Sequence, residues 1–476
     1  MEIKDLQGKL VAVLGYGIEG KAVTAYLIKH GIKPVLFDQK PWDKWAADEQ
    51  KAIKALGVNF IFGPDCFKEL TGFDVAFRSP GIKPQQLTIN NLQLTSQTKF
   101  FFEHCPAKII GVTGTKGKGT TCALIYEILK EDTRYKIRDT RRSAGSSKTS
   151  HLLSNIYLTG NIGKMQPLDF LDDLDSDDWV VYELSSFQLQ DLNQSPHIGV
   201  VLMVTTEHLD YHKNIKEYHE AKTAIVKHQE KNDLAIINHD FPSSMAIGAF
   251  GKGQKLFFSR RKNNLEQGCF IEGQDIVVAG IFPKKTKILK TSELQLKGSH
   301  NLENVCSAAL AALSVGCSLQ SVKKVLKKFK GLEHRLEFVA EKEGIKFYND
   351  SFSTTPETAI AAIESFTDPE IVILGGSSKN SNFDELAKAI KSSSNIKGII
   401  LIGQEAGKIK DSINRAGGFK GKILEGSTSM TEIFGQIKSS AEKGDVVLLS
   451  PACASFDMFK SYSDRGEQFK KFVSEF

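Results

Sequence analysis

Short apolar runs, bounded by glycines or polar residues, recur along the chain and alternate with stretches of helical periodicity. Leu10 to Leu14 is apolar, Gly15 to Gly20 turns, Lys21 to His30 has helical character and Val35 to Phe37 is apolar again. This predicts a strand–helix–strand unit opening a first region that runs to about residue 100. A second region begins with Ile109-Ile110-Gly111-Val112, passes through a Gly/Thr loop and continues as a helix over Thr120 to Leu129. Strands are expected at Trp179 to Tyr182 and Gly199 to Val204, with a long helix after Asn214. Short apolar pieces between Asn232 and Leu296 predict further strands. A third region starts near Gly331, where the runs Ile345 to Tyr348, Ile371 to Leu374, Ile399 to Ile402 and Val446 to Leu449 alternate with helical stretches. Alternation of this kind marks parallel sheets with crossover helices. The expected fold class is α/β, in domains of residues 1–100, 101–330 and 331–476.

At ~150 residues per domain, a chain of 476 residues also suits three. Hydrophobic residues make up 41% and charged residues 25%, a soluble globular composition. The longest apolar runs, such as Val200 to Val204, are strand-sized and far short of the ~20 residues that cross a bilayer. Met1-Glu2-Ile3-Lys4-Asp5 lacks the basic-then-apolar pattern of a signal peptide. Seven cysteines, at 66, 105, 122, 269, 306, 317 and 453, show no CxxC spacing. That argues against zinc and against a disulfide framework, so a cytoplasmic setting is expected. A net charge of +6 permits an anionic substrate without indicating nucleic acid. The basic, Ser-rich stretch Lys130 to Ser150 reads first as a solvated loop and only second as an anion-steering segment.

The most informative segment is Gly111-Val112-Thr113-Gly114-Thr115-Lys116-Gly117-Lys118-Gly119-Thr120-Thr121. Glycines let backbone N–H groups turn inward around phosphate oxygens, and the helix that follows points its positive end at them. Lys118 would neutralise the terminal phosphates and a neighbouring hydroxyl would bind Mg²⁺. The match to GxxxxGK[ST] is imperfect: Val112 stands at the first glycine and Gly119 at the Mg²⁺ hydroxyl, so Thr120 or Thr121 must substitute. The expected ATP-binding residues here are Gly114, Thr115, Lys116, Gly117, Lys118, Gly119, Thr120 and Thr121.

A second glycine turn, Gly15-Tyr16-Gly17-Ile18-Glu19-Gly20, matches GxGxxG, with Asp38 near the spacing of a ribose-binding acid. Such a turn serves any diphosphate-bearing ligand, so ATP is assigned to the lysine-bearing loop and another nucleotide to this one. Glu183 ends a predicted strand, where a carboxylate is well placed to hold Mg²⁺. His208 and Asp210 follow another strand end. Lys222 is anomalous, because it falls inside the apolar stripe of Tyr218, Ala221, Ile225 and Val226. Either its stem snorkels at the stripe's edge, or it is buried. Desolvation would then favour the neutral amine, which can capture CO₂ as a carbamate and become an oxygen ligand for metal. The residues alone leave both readings open.

Together these segments resemble the Mur ligase family over nearly the whole chain. The resemblance rests on GVTGTKGKGT at 111–120, GNIG at 160–163, YELSSFQL at 182–189, YHEAK at 218–222, HNLEN at 300–304, GLEHRLE at 331–337, YNDS at 348–351 and LLSPACASFDMFKSYSDRGEQF at 448–469. The last segment resembles most the branch that adds D-glutamate to a UDP-linked muramoyl-alanine. The resemblance implies an N-terminal Rossmann-like domain for UDP, a central P-loop ATPase domain with a mostly parallel sheet, and a C-terminal Rossmann-like domain for the amino acid. It assigns Gly15, Ile18, Glu19, Gln39, Lys40 and Ser79-Pro80-Gly81 to the UDP group. Asn161, Ser185 and His208 would face the sugar-peptide and the metals. Asn301, Asn304, Arg335 and Asp350 would hold adenine, phosphates and ribose, while Thr354, Lys379, Ser455 and Tyr462 would take D-glutamate. Lys222 would be carbamylated, and the metal set would be Thr120, Glu183, His208 and Lys222.

The reaction so implied is ATP-dependent: an acyl phosphate forms on the L-alanine carboxylate and the D-glutamate amine displaces phosphate, in peptidoglycan precursor synthesis. ATP and Mg²⁺ are the expected cofactors, and the chain is expected to act as a monomer without nucleic acid or membrane. Three residues depart from the family pattern: Lys116 in place of asparagine, Gly119 in place of a hydroxyl, and Phe352 where many members have lysine. Gly117-Lys118-Gly119 resembles folylpolyglutamate ligases, which are one rival. A nicotinamide oxidoreductase built on Gly15 to Gly20 and a non-catalytic nucleotide-binding regulator are the others.

Overall fold

The computed structural model describes residues 2–84, 87, 91–136, 154–162, 165–205, 211–261, 264–296, 298–299, 301–377 and 381–476. Three sheets organise them. The first holds β1 (Val11–Leu14), β2 (Val35–Asp38), β3 (Phe60–Phe62), β4 (Val75–Arg78) and β5 (Gln93–Thr95), in the order β3-β2-β1-β4-β5 and wholly parallel. The second holds ten strands: β6 (Lys108–Thr113), β7 (Tyr135–Lys136), β8 (Ser154–Gly160), β9 (Trp179–Glu183), β10 (Ile198–Val201), β11 (Leu234–Asn238), β12 (Gln254–Ser259), β13 (Gly268–Glu272), β14 (Asp275–Ala279) and β15 (Thr286–Lys290). Their order is β15-β14-β13-β12-β11-β10-β6-β9-β8-β7, and only the β13-β14 and β14-β15 pairs are antiparallel. The third comprises β16 (Glu337–Lys342), β17 (Ile345–Asn349), β18 (Glu370–Gly375), β19 (Ile396–Ile402), β20 (Lys422–Ser427) and β21 (Val446–Leu449), in the order β16-β17-β21-β18-β19-β20. There the β16-β17 pair alone is antiparallel. The α/β class expected from the apolar pattern is the class observed.

The described residues form two compact units, one carrying the first two sheets and the other the third. Within the first unit one core runs from Val11, Val13 and Phe77 through Phe100 and Phe101 to Val180, Tyr182 and Ile225. Polar contacts reinforce it: Tyr26 Oη lies 3.1 Å from Asp172, Thr98 Oγ1 lies 3.0 Å from Tyr182 Oη, and the buried Arg78 pairs with Asp191. In the second unit the central strands bury both faces. Val372, Leu374 and Leu448 pack on one side and Ile371, Ile373, Val447 and Leu449 on the other. Strands covered on both sides have no wet face to keep polar, which is why they read as unbroken apolar runs.

Strand order dictates where ligands can sit. In an open parallel sheet, chains leaving neighbouring strands in opposite directions open a crevice at the strands' carboxyl ends. In the first sheet that point lies between β1 and β4, in the second around β6 with β9 and β10 beside it, and in the third around β21 between β17 and β18. Among the described residues no helix is long and apolar enough to cross a membrane.

Candidate active site

The loop after β6 feeds helix Lys118–Glu131. Gly117, its N-cap, sits at φ +89°, and a Cβ built there would lie 2.2 Å from Asn304 Oδ1. Only glycine allows both that conformation and that approach. The helix therefore turns its unsatisfied amides and positive end toward the crevice. Lys118 Nζ folds back on the loop, donating to Gly114 O at 3.0 Å and Thr115 O at 3.1 Å. Thr115 fastens the loop to the chain after β10: its amide donates to Met203 O, and its hydroxyl accepts from Thr205 N and meets Tyr218 Oη at 3.0 Å. Thr121 is buried, with Oγ1 at 3.3 Å from Asn304 Oδ1, whereas Thr120 is half-buried and Lys116 exposed. Gly119 is buried.

Lys222 Nζ reaches the same loop. It donates to Gly114 O at 3.2 Å and Thr113 Oγ1 at 3.3 Å, and lies 4.7 Å from the Tyr218 ring centroid. Only 1% of the residue is exposed, so the lysine is buried rather than snorkelling. Two lysine amines thus converge on one carbonyl oxygen. Glu183, 4% exposed, ends β9 opposite Val112 of β6. Its Oε2 is buried and accepts no hydrogen bond among the described residues. Burial raises the nearby Cys122 thiol well above its ordinary value; Glu183 adds to that rise and Lys118 opposes it. A buried carboxylate oxygen without a donor is costly unless a cation takes it. Together with a loop hydroxyl it forms the hard-oxygen set that Mg²⁺ prefers, so the residues fit that ion. His208 and Asp210 lie outside the described residues.

The first sheet builds a second cleft at the β1–β4 switch point. Ser79 N donates to Leu14 O, and Ser79 Oγ donates to Gly15 O at 2.9 Å, joining the two loops. A Cβ at Gly20 would strike Gly15 O at 1.9 Å, which explains the last glycine of the motif. Asp38 is not available to a ribose. Its two oxygens accept the amides of Tyr16 (2.7 Å) and Lys40 (2.8 Å), so its carboxylate holds the turn. Ile18 is 74% exposed at the helix start, while Gln39, Lys40, Gly81 and Asn161 are exposed and Pro80 is half-buried. Ser185 Oγ caps its own short helix through Gln188, and Gln188 Nε2 donates to Glu19 Oε1 at 2.9 Å.

Burial raises the Glu19 carboxyl to about 7, against the lowering effects of Gln188 and Arg78; Asp191 adds to the rise. The folded protein then keeps a proton that the unfolded chain releases, so stability falls as pH rises from about 4.5 to about 7. Glu19→Gln should remove roughly 2–3 kcal/mol of that dependence, read as urea midpoints at about pH 5 and about pH 8. Identical pH dependence in both proteins would assign the proton elsewhere.

In the second unit Asp350 follows β17 and Ser450 follows β21. Ser450 Oγ donates to Asp350 Oδ2 at 2.7 Å, and Leu336 N donates to Oδ1 at 3.1 Å. Burial raises Asp350 to about 7, opposed by these donors, Ser353 and Arg335. Arg335 stacks on the Phe352 ring. Ser455 is buried, Thr354 half-buried and Tyr462 exposed, and Asn301 is buried at the start of its helix. Lys379 lies outside the described residues. Arg465, fully buried, donates to Ser351 Oγ and to the carbonyls of Ser351, Cys453 and Ala454, which fixes the loop carrying Ser455.

Four contributors lie inside the quoted motifs but receive no role of their own from the sequence: Tyr218, Gln188, His334 and Arg465. Tyr218 stands four residues before Lys222 on the same helical face. Gln188 stands three after Ser185, a capping-box spacing. Both signals are present in the sequence. Asn349, which meets the His334 ring, and Ser351, which accepts from Arg465, are distant along the chain and leave no local trace.

Comparison with known proteins decides the family. The Mur ligase middle domain matches residues 112–312, and the Mur ligase glutamate ligase domain matches residues 334–453. A UDP-N-acetylmuramoylalanine--D-glutamate ligase from Clostridium tetani is 36% identical over 478 residues, covering 99% of this chain and 97% of its own. Its counterpart from Acetivibrio thermocellus is 36% identical over 480 residues, with the same coverage. The chain belongs to the Mur ligase family. It is an ATP-dependent ligase that forms an amide. The fold agrees: a UDP-N-acetylmuramate-alanine ligase from Thermotoga maritima superposes with a TM-score of 0.58 at 16% identity, over 98% of this chain and 99% of its own. A MurF ligase from the same organism, in complex with ADP, gives 0.54 at 17% identity, over 100% and 97%. The nicotinamide rival falls with the family assignment, and the committed Asp38 carboxylate agrees.

Proposed function

We propose that this ligase joins D-glutamate to UDP-N-acetylmuramoyl-L-alanine, in the cytoplasm and as a monomer, using ATP and Mg²⁺. The observation that carries the reading is the match, across 99% of the chain, to relatives named for that reaction. The ADP-bound neighbour of like fold supports nucleotide binding, and the glycine loop after β6 is where this reading places it.

In this reading the loop amides and Lys118 cradle the ATP phosphates and neutralise charge that builds on the transferring group. The L-alanine carboxylate attacks the terminal phosphorus and ADP leaves. The D-glutamate amine then attacks the acyl carbon, the bond to phosphate breaks and the amine gives up its proton. Magnesium, which Glu183 and the hydroxyl of Thr120 or Thr121 would hold, supplies further charge neutralisation on the phosphates. Carbamylation of Lys222 fits the convergence on Gly114 O, because it exchanges one of two like charges for an anion. The cleft of Gly15, Ile18, Glu19, Gln39, Lys40, Ser79 and Gly81 takes the UDP group, with Asn161 and Ser185 toward the sugar-peptide. Asn301, Asn304, Arg335 and Asp350 serve ATP. Thr354, Ser455 and Tyr462 serve D-glutamate, with Lys379 assigned to one of its carboxylates and His208 to the metal.

ADP release should require both UDP-N-acetylmuramoyl-L-alanine and D-glutamate. L-glutamate, lysine and diaminopimelate should each give little. Equal or greater release with lysine or diaminopimelate would move the chain to another branch of the family.

A further inference from the structure

The β16–β17 hairpin pairs Glu337 with Asn349, so the residues just before β16 and just after β17 leave the sheet at the same end. Arg335 is one and Phe352 the other. The backbone on both sides of Arg335 is left-handed, with His334 at φ 62° and Leu336 at φ 45°. L-residues avoid that region unless their surroundings hold them there. Here both shoulders are pinned. His334 N donates to Glu337 Oε2 at 2.8 Å, its Nδ1 lies 2.9 Å from Asn349 Nδ2, and Leu336 N donates to Asp350 Oδ1. Phe352 N donates to His334 O at 2.9 Å, tying the two arms together.

On that frame the Arg335 guanidinium carbon sits 3.9 Å from the centroid of the Phe352 ring. The ring in turn meets Tyr462 edge-on, at 5.0 Å and 86°. Ser351 Oγ, one residue before Phe352, donates to Tyr462 O at 2.7 Å and fixes that neighbour. Phe352 and Tyr462 are 39% and 40% exposed, so the stack faces outward and is not filling the core. A guanidinium lying on an aromatic face is attracted by the ring's quadrupole and loses rotational freedom.

We infer that Phe352 is a positioning residue. Its ring holds the Arg335 guanidinium in a fixed plane for the nucleotide and links it mechanically to Tyr462 on the amino-acid side. The inference rests on the roles proposed above for Arg335 and Tyr462. It gives Phe352 a function of its own, because an aromatic face attracts the Arg335 guanidinium where a cationic side chain would repel it.

The test compares Phe352→Leu, which keeps apolar volume without the ring, with Phe352→Tyr, which keeps the ring. Phe352→Leu should raise KM for ATP about tenfold, raise KM for D-glutamate less, and leave kcat within about twofold. Phe352→Tyr should restore the wild-type values, and both variants should melt within a few degrees of wild type. Calorimetric titration with ATP should repeat the affinity loss without needing turnover. A wild type that binds ATP but releases no ADP with the two proposed substrates would sink the proposed function alone. An unchanged ATP affinity in Phe352→Leu, a loss confined to kcat, or no recovery in Phe352→Tyr would overturn the positioning role. Should Phe352→Leu fail to fold, Phe352→Met takes its place.

Discussion

Lys118→Ala should leave the fold intact and cut ADP release by roughly three orders of magnitude. Among the described residues Lys118 Nζ donates to the loop carbonyls of Gly114 and Thr115, and Gly114 O keeps Lys222 as a donor, so removal of Lys118 uncovers one acceptor at the mouth of a crevice and empties no core. The rate loss has a different source. Phosphoryl transfer asks little covalent work of a protein and a great deal of charge placement. Lys118 is the cation whose backbone opens the helix directly behind the phosphate loop. The measurement is single-turnover ADP release with both substrates, beside a thermal melt. Normal release from a folded Lys118→Ala protein would remove ATP from this loop and with it the proposed mechanism. Lys116→Ala is the control: that side chain is exposed, and its loss should be felt far less.

What could be read without coordinates follows from burial. Strands β17, β18, β19 and β21 are covered on both faces and announce themselves as apolar runs. The edge strand β20 does not, because most of Lys422–Ser427 is open to solvent on at least one side. The expected strand Gly199 to Val204 illustrates the opposite error. Pairing stops at Val201, and Leu202 to Val204 are apolar for another reason: they lie beneath the phosphate loop, where Met203 O accepts Thr115 N. Apolar sequence reports burial, and burial does not require a ladder. The site followed the same division. The positions of Lys118, Glu183 and Lys222 in the fold were legible because loop, strand end and helical stripe are local patterns. The joining of the first two sheets into one unit was not. It depends on pairs such as Tyr26 with Asp172 and Thr98 with Tyr182, far apart along the chain.

Lys222→Ala tests the boldest step from residue to chemistry. If Lys222 served only to fill its pocket and donate to Thr113 and Gly114, alanine would leave a cavity and take one donor from each of those oxygens. The protein would then be less stable, and nothing small and anionic would repair it. A carbamate makes a different prediction. The carbamylated side chain ends in two oxygens at a position reached through a buried stem, so its loss should silence turnover while leaving room for a short carboxylic acid. Acetate or formate should restore a measurable fraction of ADP release to Lys222→Ala and none to Lys118→Ala, whose missing group is a cation. Removal of dissolved CO₂ should slow the wild type and leave acid-rescued Lys222→Ala unaffected. Full activity in unsupplemented Lys222→Ala would reduce the lysine to a packing residue. Inactivity that no carboxylic acid relieves would keep its importance but deny it the carbamate.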